Sequence, residues 1–237
     1  MNILQSIRNN VPNAVTCCNL LSGALACIAA FHAFEPWWWG LQGYQVAFVL
    51  IAAAAVFDFF DGFTARLLHA VSPLGKELDS LSDAVSFGLA PAMVLYNMLV
   101  HHLPECGAFA YVAMLIPVFG ALRLAKFNVS TDQSTTFTGL PIPANAIFWI
   151  GFTDFYAAHH DVVPPLVVAA LVVVFSLLMV CNLRMFSLKM HSLGLRTAYK
   201  QYLLVAVLVV CVCWCGVTGL ALGILFYILL SAVTKQD

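Results

Sequence analysis

The apolar positions of this chain neither alternate nor trace one face of a soluble helix. They run together in stretches of about twenty residues, separated by short polar breaks. Such stretches fall at residues 13–34, 46–68, 78–101, 109–127, 143–158 and 165–183, and a longer one occupies 202–233. A helix rises about 1.5 Å per residue, so about 20 apolar residues cross the hydrocarbon core of a bilayer. The last run is too long for one untilted span. Gly216 and Gly219 flank a tight turn within it, which divides it into 202–215 and 218–233. The pattern predicts an all-α integral membrane protein, a polytopic bundle of about eight transmembrane helices. No internal repeat or low-complexity linker interrupts the runs, which predicts a single membrane domain over residues 1–237. The longest polar stretch, 182–201, reads either as an interfacial amphipathic connection or as a plain loop.

Charge gives the bundle a direction. Arg8, Arg66, Lys76, Arg123, Lys126, Arg184, Lys189, Arg196, Lys200 and Lys235 are all ten Lys and Arg of the chain. With the N-terminus in the cytoplasm, each falls at a cytoplasmic helix end or in a cytoplasmic loop. The opposite loops, 32–45, 101–107, 159–164 and 216–219, hold none. This distribution obeys the positive-inside rule and predicts that both termini are cytoplasmic. A seven-span arrangement would send Lys235 outside. Trp37, Trp38 and Trp39 fall in the first outer loop, where an interfacial aromatic belt is expected. Arg8 and its polar neighbours, with no small-residue cleavage site after the first apolar run, predict a retained anchor rather than a cleaved leader.

Composition agrees: 62% of residues are hydrophobic and 9% charged, with a mean hydropathy of +0.94. A soluble domain carries about 25% charged residues. The net charge of −1 offers no basic face for nucleic acid. None of the eight cysteines forms a C-x-x-C pair. Cys211, Cys213 and Cys215 step by two, which on a helix turns the middle one away from the others, so they read as small apolar residues.

Against this background one segment stands out. Five of the eleven Asp and Glu fall between Asp58 and Asp83. A charge at membrane depth costs about 2.5–3.5 kcal/mol on the lenient insertion scale, so something must neutralise this group. The residues read D-x2-D-G-x2-A-R-x8-G-x3-D-x3-D, from Asp58 through Asp61, Gly62, Ala65, Arg66, Gly75 and Asp79 to Asp83. At about 100° per residue, Asp61, Gly62 and Ala65 share a face with Asp58, and Arg66 flanks it. Gly75, Asp79 and Asp83 stand at i, i+4 and i+8 on a following helix, beyond a turn at Ser72-Pro73. Two antiparallel helices thereby present two carboxylates each to one cavity. Several Asp oxygens suit Mg²⁺, Mn²⁺ or Ca²⁺ rather than a thiolate-seeking metal. Small residues admit a phosphate to the backbone, and Arg66 is a fixed cation for phosphate oxygens. Together they describe phosphoryl transfer with a pair of divalent cations, one carboxylate serving as base. Individual residues carry other readings: a cation-transport path at Asp58 and Asp61, a helix cap at Asp79, or an Asp83–Arg66 ion pair.

The full pattern resembles that of the CDP-alcohol phosphatidyltransferase family, integral membrane enzymes that displace CMP from a CDP-linked lipid or alcohol. Every fixed position is present. The resemblance implies two divalent cations, Mn²⁺ or Mg²⁺, held by Asp58, Asp61, Asp79 and Asp83, with Asp83 as the base. It also implies that Gly62, Ala65, Arg66 and Gly75 line the CDP site. The segment Val11-Pro12-Asn13-Ala14-Val15-Thr16, with Asn19 and Gly23, resembles the family's first helix. This adds Asn13, Thr16 and Asn19 as nucleotide contacts; their other reading is interfacial caps and polar packing residues.

A second stretch bears on the acceptor. Arg123-Leu124-Ala125-Lys126-Phe127-Asn128 is followed by Phe137-Thr138-Gly139-Leu140-Pro141-Ile142-Pro143-Ala144. It resembles the branch of the family whose acceptor is L-serine, with Lys126 where that branch more often has Arg. The implied substrates are CDP-diacylglycerol and L-serine, with Arg123 and Lys126 on the serine carboxylate and Asn128 on its ammonium or hydroxyl. The other reading makes both cations positive-inside anchors. A homodimer in a bacterial or archaeal cytoplasmic membrane, with the site facing the cytoplasm, is the family's habit. Two competitors remain at this stage. One is the same chemistry on glycerol 3-phosphate or an inositol phosphate; the other is a divalent-cation transporter.

Overall fold

The computed structural model describes the backbone of residues 3–129, 137–185 and 199–233; residues 186–198, most of the polar stretch above, lie outside that description. The chain forms two compact units, Met1–Ala125 and Lys126–Asp237.

In the first unit α1 (Ile3–Phe31), α2 (Gly43–Leu67), α3 (Pro73–Asp83) and α4 (Ala90–His102) follow one another. A π-helical segment, Ala84–Leu89, joins α3 to α4, so Pro73–His102 is one helical span. A 3₁₀ segment, Pro104–Met114, leads into α5 (Leu115–Val129), whose last residues belong to the second unit. Fully buried Ala26, Ala29, Ala30, Ala47 and Ala54 let α1 and α2 approach closely, as small residues do between membrane helices. They run antiparallel: Ser22 Oγ donates to the Leu50 carbonyl at 2.8 Å, and Gly43 packs on the Ala29 carbonyl. α3 lies parallel to α1. The π segment has a local cause. In a regular α-helix the Pro91 ring presses on the carbonyl four residues back. Here the turn is widened, and the Ala90 N–H donates to Val85, five residues back.

The second unit holds α6 (Ile142–His159), α7 (Pro165–Val180), α8 (Tyr199–Cys215) and α9 (Gly219–Val233); α6, α7 and α9 contribute the buried aromatics Phe148, Trp149, Tyr156, Phe175 and Tyr227, and α8 packs on α9. The Phe148 and Phe175 rings stack at 3.7 Å between centroids. α8 and α9 form the expected hairpin. Gly216, at φ +63°, opens a short 3₁₀ turn, and Gly219 packs on the Cys211 carbonyl. Asp154 of α6 accepts from Thr218 Oγ1 at 2.9 Å, which ties the hairpin turn to α6. A two-residue antiparallel pair, Phe137–Thr138 with Arg184–Met185, is too small to alter the helical class.

Among the described residues, five stretches are long and apolar enough to cross a membrane: Asn10–Phe31, Gly43–Leu67, Pro73–His102, Gly107–Val129 and Tyr199–Val233, the last being the hairpin. Every expected apolar run is helical. The ends differ, because apolar runs mark lipid depth while caps mark helix ends. α1 begins at Ile3, well before residue 13, and α3 begins at Pro73 rather than 78. Ser72 caps α3 by accepting the Gly75 N–H at 3.0 Å, and Pro73 occupies the first turn.

Candidate active site

α2 supplies Asp58 and Asp61, one turn apart, and α3 supplies Asp79 and Asp83, also one turn apart. One ligand oxygen from each of Asp58, Asp61 and Asp79 lies within 4.8 Å of the other two. Oxygens sharing one hard cation at 2.0–2.6 Å are separated by at most about 5 Å, so these three fit a common ion. Asp61 is only 6% exposed, and its Oδ2 has no hydrogen-bond partner among the described residues. A buried carboxylate oxygen left that way is costly, which favours a cation there. Asp83 stands one turn further along α3, 9% exposed. Its carboxylate lies within electrostatic range of Asp58, Asp79 and Asp61. It accepts from Asn19 Nδ2 at 3.4 Å.

The small residues lie on the same two helices. A Cβ on Gly62 would meet nothing within 4 Å, so the backbone there borders open space. Arg66 is exposed, and its Nε donates to the Gly62 carbonyl at 2.9 Å, which lays the guanidinium along the same part of α2. Ala65 is half-buried between them. A Cβ on Gly75 would lie 3.1 Å from Asn13 Oδ1, so α1 reaches the start of α3 at this glycine. The other α1 residues follow in register. The Thr16 side chain reaches the Asp61 carboxylate, and its hydroxyl donates to the Pro12 carbonyl at 3.0 Å. The structure therefore brings Asn13, Thr16 and Asn19 to the acidic helices from residues more than forty positions away.

The acceptor stretch behaves differently. Arg123, on α5 in the first unit, and Asn128 are half-buried. Lys126 belongs to the second unit, where Nζ donates to the Val180 carbonyl at 3.4 Å and to Asn182 Oδ1 at 3.3 Å. That is a cation at the C-terminal end of α7, a favourable place for one. The Gly-Leu-Pro segment also has structural work. Gly139 adopts φ +77° under the Met179 carbonyl and donates its N–H to Leu183 at 2.8 Å, and the Leu140 N–H donates to Leu178 at 2.9 Å. Only glycine takes that conformation without strain.

Sequence placed Ser72 in a turn but not as a cap, and it gave no role to Ser22, Ser82 or Ser86. Ser72 caps α3. Ser82, fully buried, donates to the Leu78 carbonyl at 2.8 Å and to the Thr16 carbonyl at 3.3 Å. Ser86 donates to the Asn19 carbonyl at 3.0 Å, and Ser22 joins α1 to α2. Small hydroxyls one turn apart inside an apolar helix, as Ser82 and Ser86 are, form a readable signal for helix–helix hydrogen bonding.

Clustered aspartates, an arginine and open space beside a glycine, on helices long and apolar enough to cross a membrane, are parts that phosphoryl transfer can use. The chain belongs to the CDP-alcohol phosphatidyltransferase family, whose model matches residues 9–212. Curated relatives that carry the name CDP-diacylglycerol–serine O-phosphatidyltransferase include the following three. That of Bacillus subtilis is 37% identical over 135 residues, covering 57% of this chain and 70% of its own length. That of Methanocaldococcus jannaschii is 33% identical over 174 residues, covering 73% of this chain and 72% of its own. That of Mycobacterium leprae is 46% identical over 115 residues, covering 45% of this chain and 37% of its own.

Proposed function

We propose that this chain transfers the phosphatidyl group from CDP-diacylglycerol to the hydroxyl of L-serine, forming phosphatidylserine and CMP. The observation that carries the chemistry is the convergence of Asp58, Asp61 and Asp79 beside buried Asp83. The choice of serine is supported by the names of the relatives. Asp58, Asp61, Asp79 and Asp83 hold two divalent cations, Mn²⁺ or Mg²⁺. When bound, these supply charge neutralisation along the diphosphate. Asp83 takes the proton of the serine hydroxyl as that oxygen bonds to the lipid-side phosphorus. The bond from this phosphorus to the bridging oxygen breaks, and CMP leaves with the electron pair. Arg66 stabilises phosphate charge beside the Gly62 and Ala65 backbone. Gly75, Asn13 and Thr16 border the nucleotide. Arg123, Lys126 and Asn128 are assigned to serine, the two cations to its carboxylate and Asn128 to its ammonium or hydroxyl.

Eight spans with both termini in the cytoplasm, a single catalytic domain, a homodimer and a cytoplasm-facing site in the cytoplasmic membrane complete the reading. One-sided Lys and Arg support the orientation. The test is CMP release from CDP-diacylglycerol by purified protein with Mn²⁺ or Mg²⁺, with L-serine among several acceptors. Serine-dependent release with phosphatidylserine as product is expected. Release only with glycerol 3-phosphate or an inositol phosphate rejects the acceptor, and release with none rejects the reaction.

A further inference from the structure

We propose that Asn19 serves the acceptor half of the site: its Nδ2 holds the base Asp83, and its Oδ1 receives a hydrogen bond from the incoming alcohol substrate. The inference rests on the phosphatidyl-transfer reading above, and it moves a residue expected to touch the nucleotide to the other side of the reaction.

Asn19 is fully buried in α1, and its Nδ2 donates to Asp83 Oδ1 at 3.4 Å. This contact sets Nδ2 on the Asp83 side of the amide. Oδ1 is then left buried with no hydrogen-bond partner among the described residues. Buried amide oxygens are almost always satisfied, so one left open beside a reacting group marks a place for a donor. The two polar atoms of an amide share one carbon, so Oδ1 lies next to the carboxylate that takes the proton. The backbone cannot easily turn the amide away. Three residues earlier, the Thr16 carbonyl accepts from Ser82 at 3.3 Å. Asn19's own carbonyl accepts from Ser86 at 3.0 Å, and four residues later Gly23 packs directly on Ser86. α1 is thus pinned to the helix of Asp83 on both sides of Asn19.

The chemistry selects the partner of Oδ1. The reacting diphosphate brings only acceptor oxygens beside the base, and the ribose and cytosine donors of the nucleotide stand beyond the second phosphate, whereas an amino alcohol brings a hydroxyl and an ammonium to the base itself. The hydroxyl proton goes to Asp83, and the ammonium remains as the donor for Oδ1. Asn19 is therefore a positioning residue for the base and a contact for the acceptor.

The test is steady-state CMP release by purified Asn19→Ser, varying L-serine and CDP-diacylglycerol separately, with CDP-diacylglycerol binding measured directly on the same sample. Serine is too short to bridge to Asp83 and leaves the packing small and polar. The expected result is a fall in kcat/KM for L-serine on the order of tenfold or more, with CDP-diacylglycerol affinity held within about twofold. Equal weakening of CDP-diacylglycerol binding overturns the proposal and returns Asn19 to the nucleotide. An unchanged kcat/KM for L-serine overturns it as well. Should Asn19→Ser not fold, the isosteric Asn19→Asp, which lacks the Nδ2 donor, takes the same comparison. Wild-type protein that releases no CMP with serine instead fails the phosphatidyl-transfer reading itself.

Discussion

Asp83 and Asp58 occupy different situations although both belong to one motif, and substitutions should separate them. Asp58 shares a converging set of oxygens with Asp61 and Asp79. Asp58→Ala is expected to abolish Mn²⁺-dependent binding of CDP-diacylglycerol, and retained tight binding in a calorimetric titration would reject its role as a ligand. Asp83 is buried and held by Asn19. Asp83→Asn keeps the shape but removes the base. Turnover should fall below detection while CDP-diacylglycerol affinity changes little; equal loss of both would make Asp83 chiefly a ligand. Gly23 offers a structural test at the same scale. An added Cβ would sit 2.6 Å from the backbone Cα of Ser86, so neither side has a flexible end to move. Gly23→Ala should destabilise by about 1–3 kcal/mol, the usual cost of overpacking, read as a lower thermal midpoint in detergent.

At the scale of elements, the acidic motif was legible because helical periodicity alone places Asp58 with Asp61 and Asp79 with Asp83. The partners of Ser82 and Ser86 were not, because they are backbone carbonyls of α1, some sixty residues away. The start of α3 depends on one side chain. Removing the Ser72 hydroxyl leaves the Gly75 N–H without its acceptor. Ser72→Ala should cost about 1 kcal/mol, and the Gly75 amide should exchange about fivefold faster in hydrogen-exchange experiments. The α8–α9 hairpin gives a graded comparison. A Cβ at Gly219 would meet the backbone of Cys211, whereas at Gly223 it would meet the movable end of Leu208. Gly219→Ala is expected to lower the thermal midpoint clearly more than Gly223→Ala; equal shifts would show that backbone approach does not limit the hairpin.

For the whole molecule, the expectation to test is that all ten Lys and Arg lie on one side of the membrane. It predicts opposite accessibility for Trp39, 94% exposed in the loop before α2, and Val71, 77% exposed between α2 and α3. In a cysteine-free background, Trp39→Cys should react with an impermeant maleimide applied outside the cell. Val71→Cys should react only after permeabilisation, and the reverse pattern would invert the topology. The sequence by itself determined the membrane class, the helical runs, the hairpin at Gly216 and the four carboxylates, since each rests on local composition or on spacing within one element. Tertiary structure alone decided how α1 enters the site. Resemblance marked its Asn13, Thr16 and Asn19 as nucleotide contacts, but only the packing of α1 against α2 and α3 gives each a different partner. It also tied Lys126 and the Gly139 turn to the end of α7, contacts between segments whose separation in the chain hides them from any periodicity.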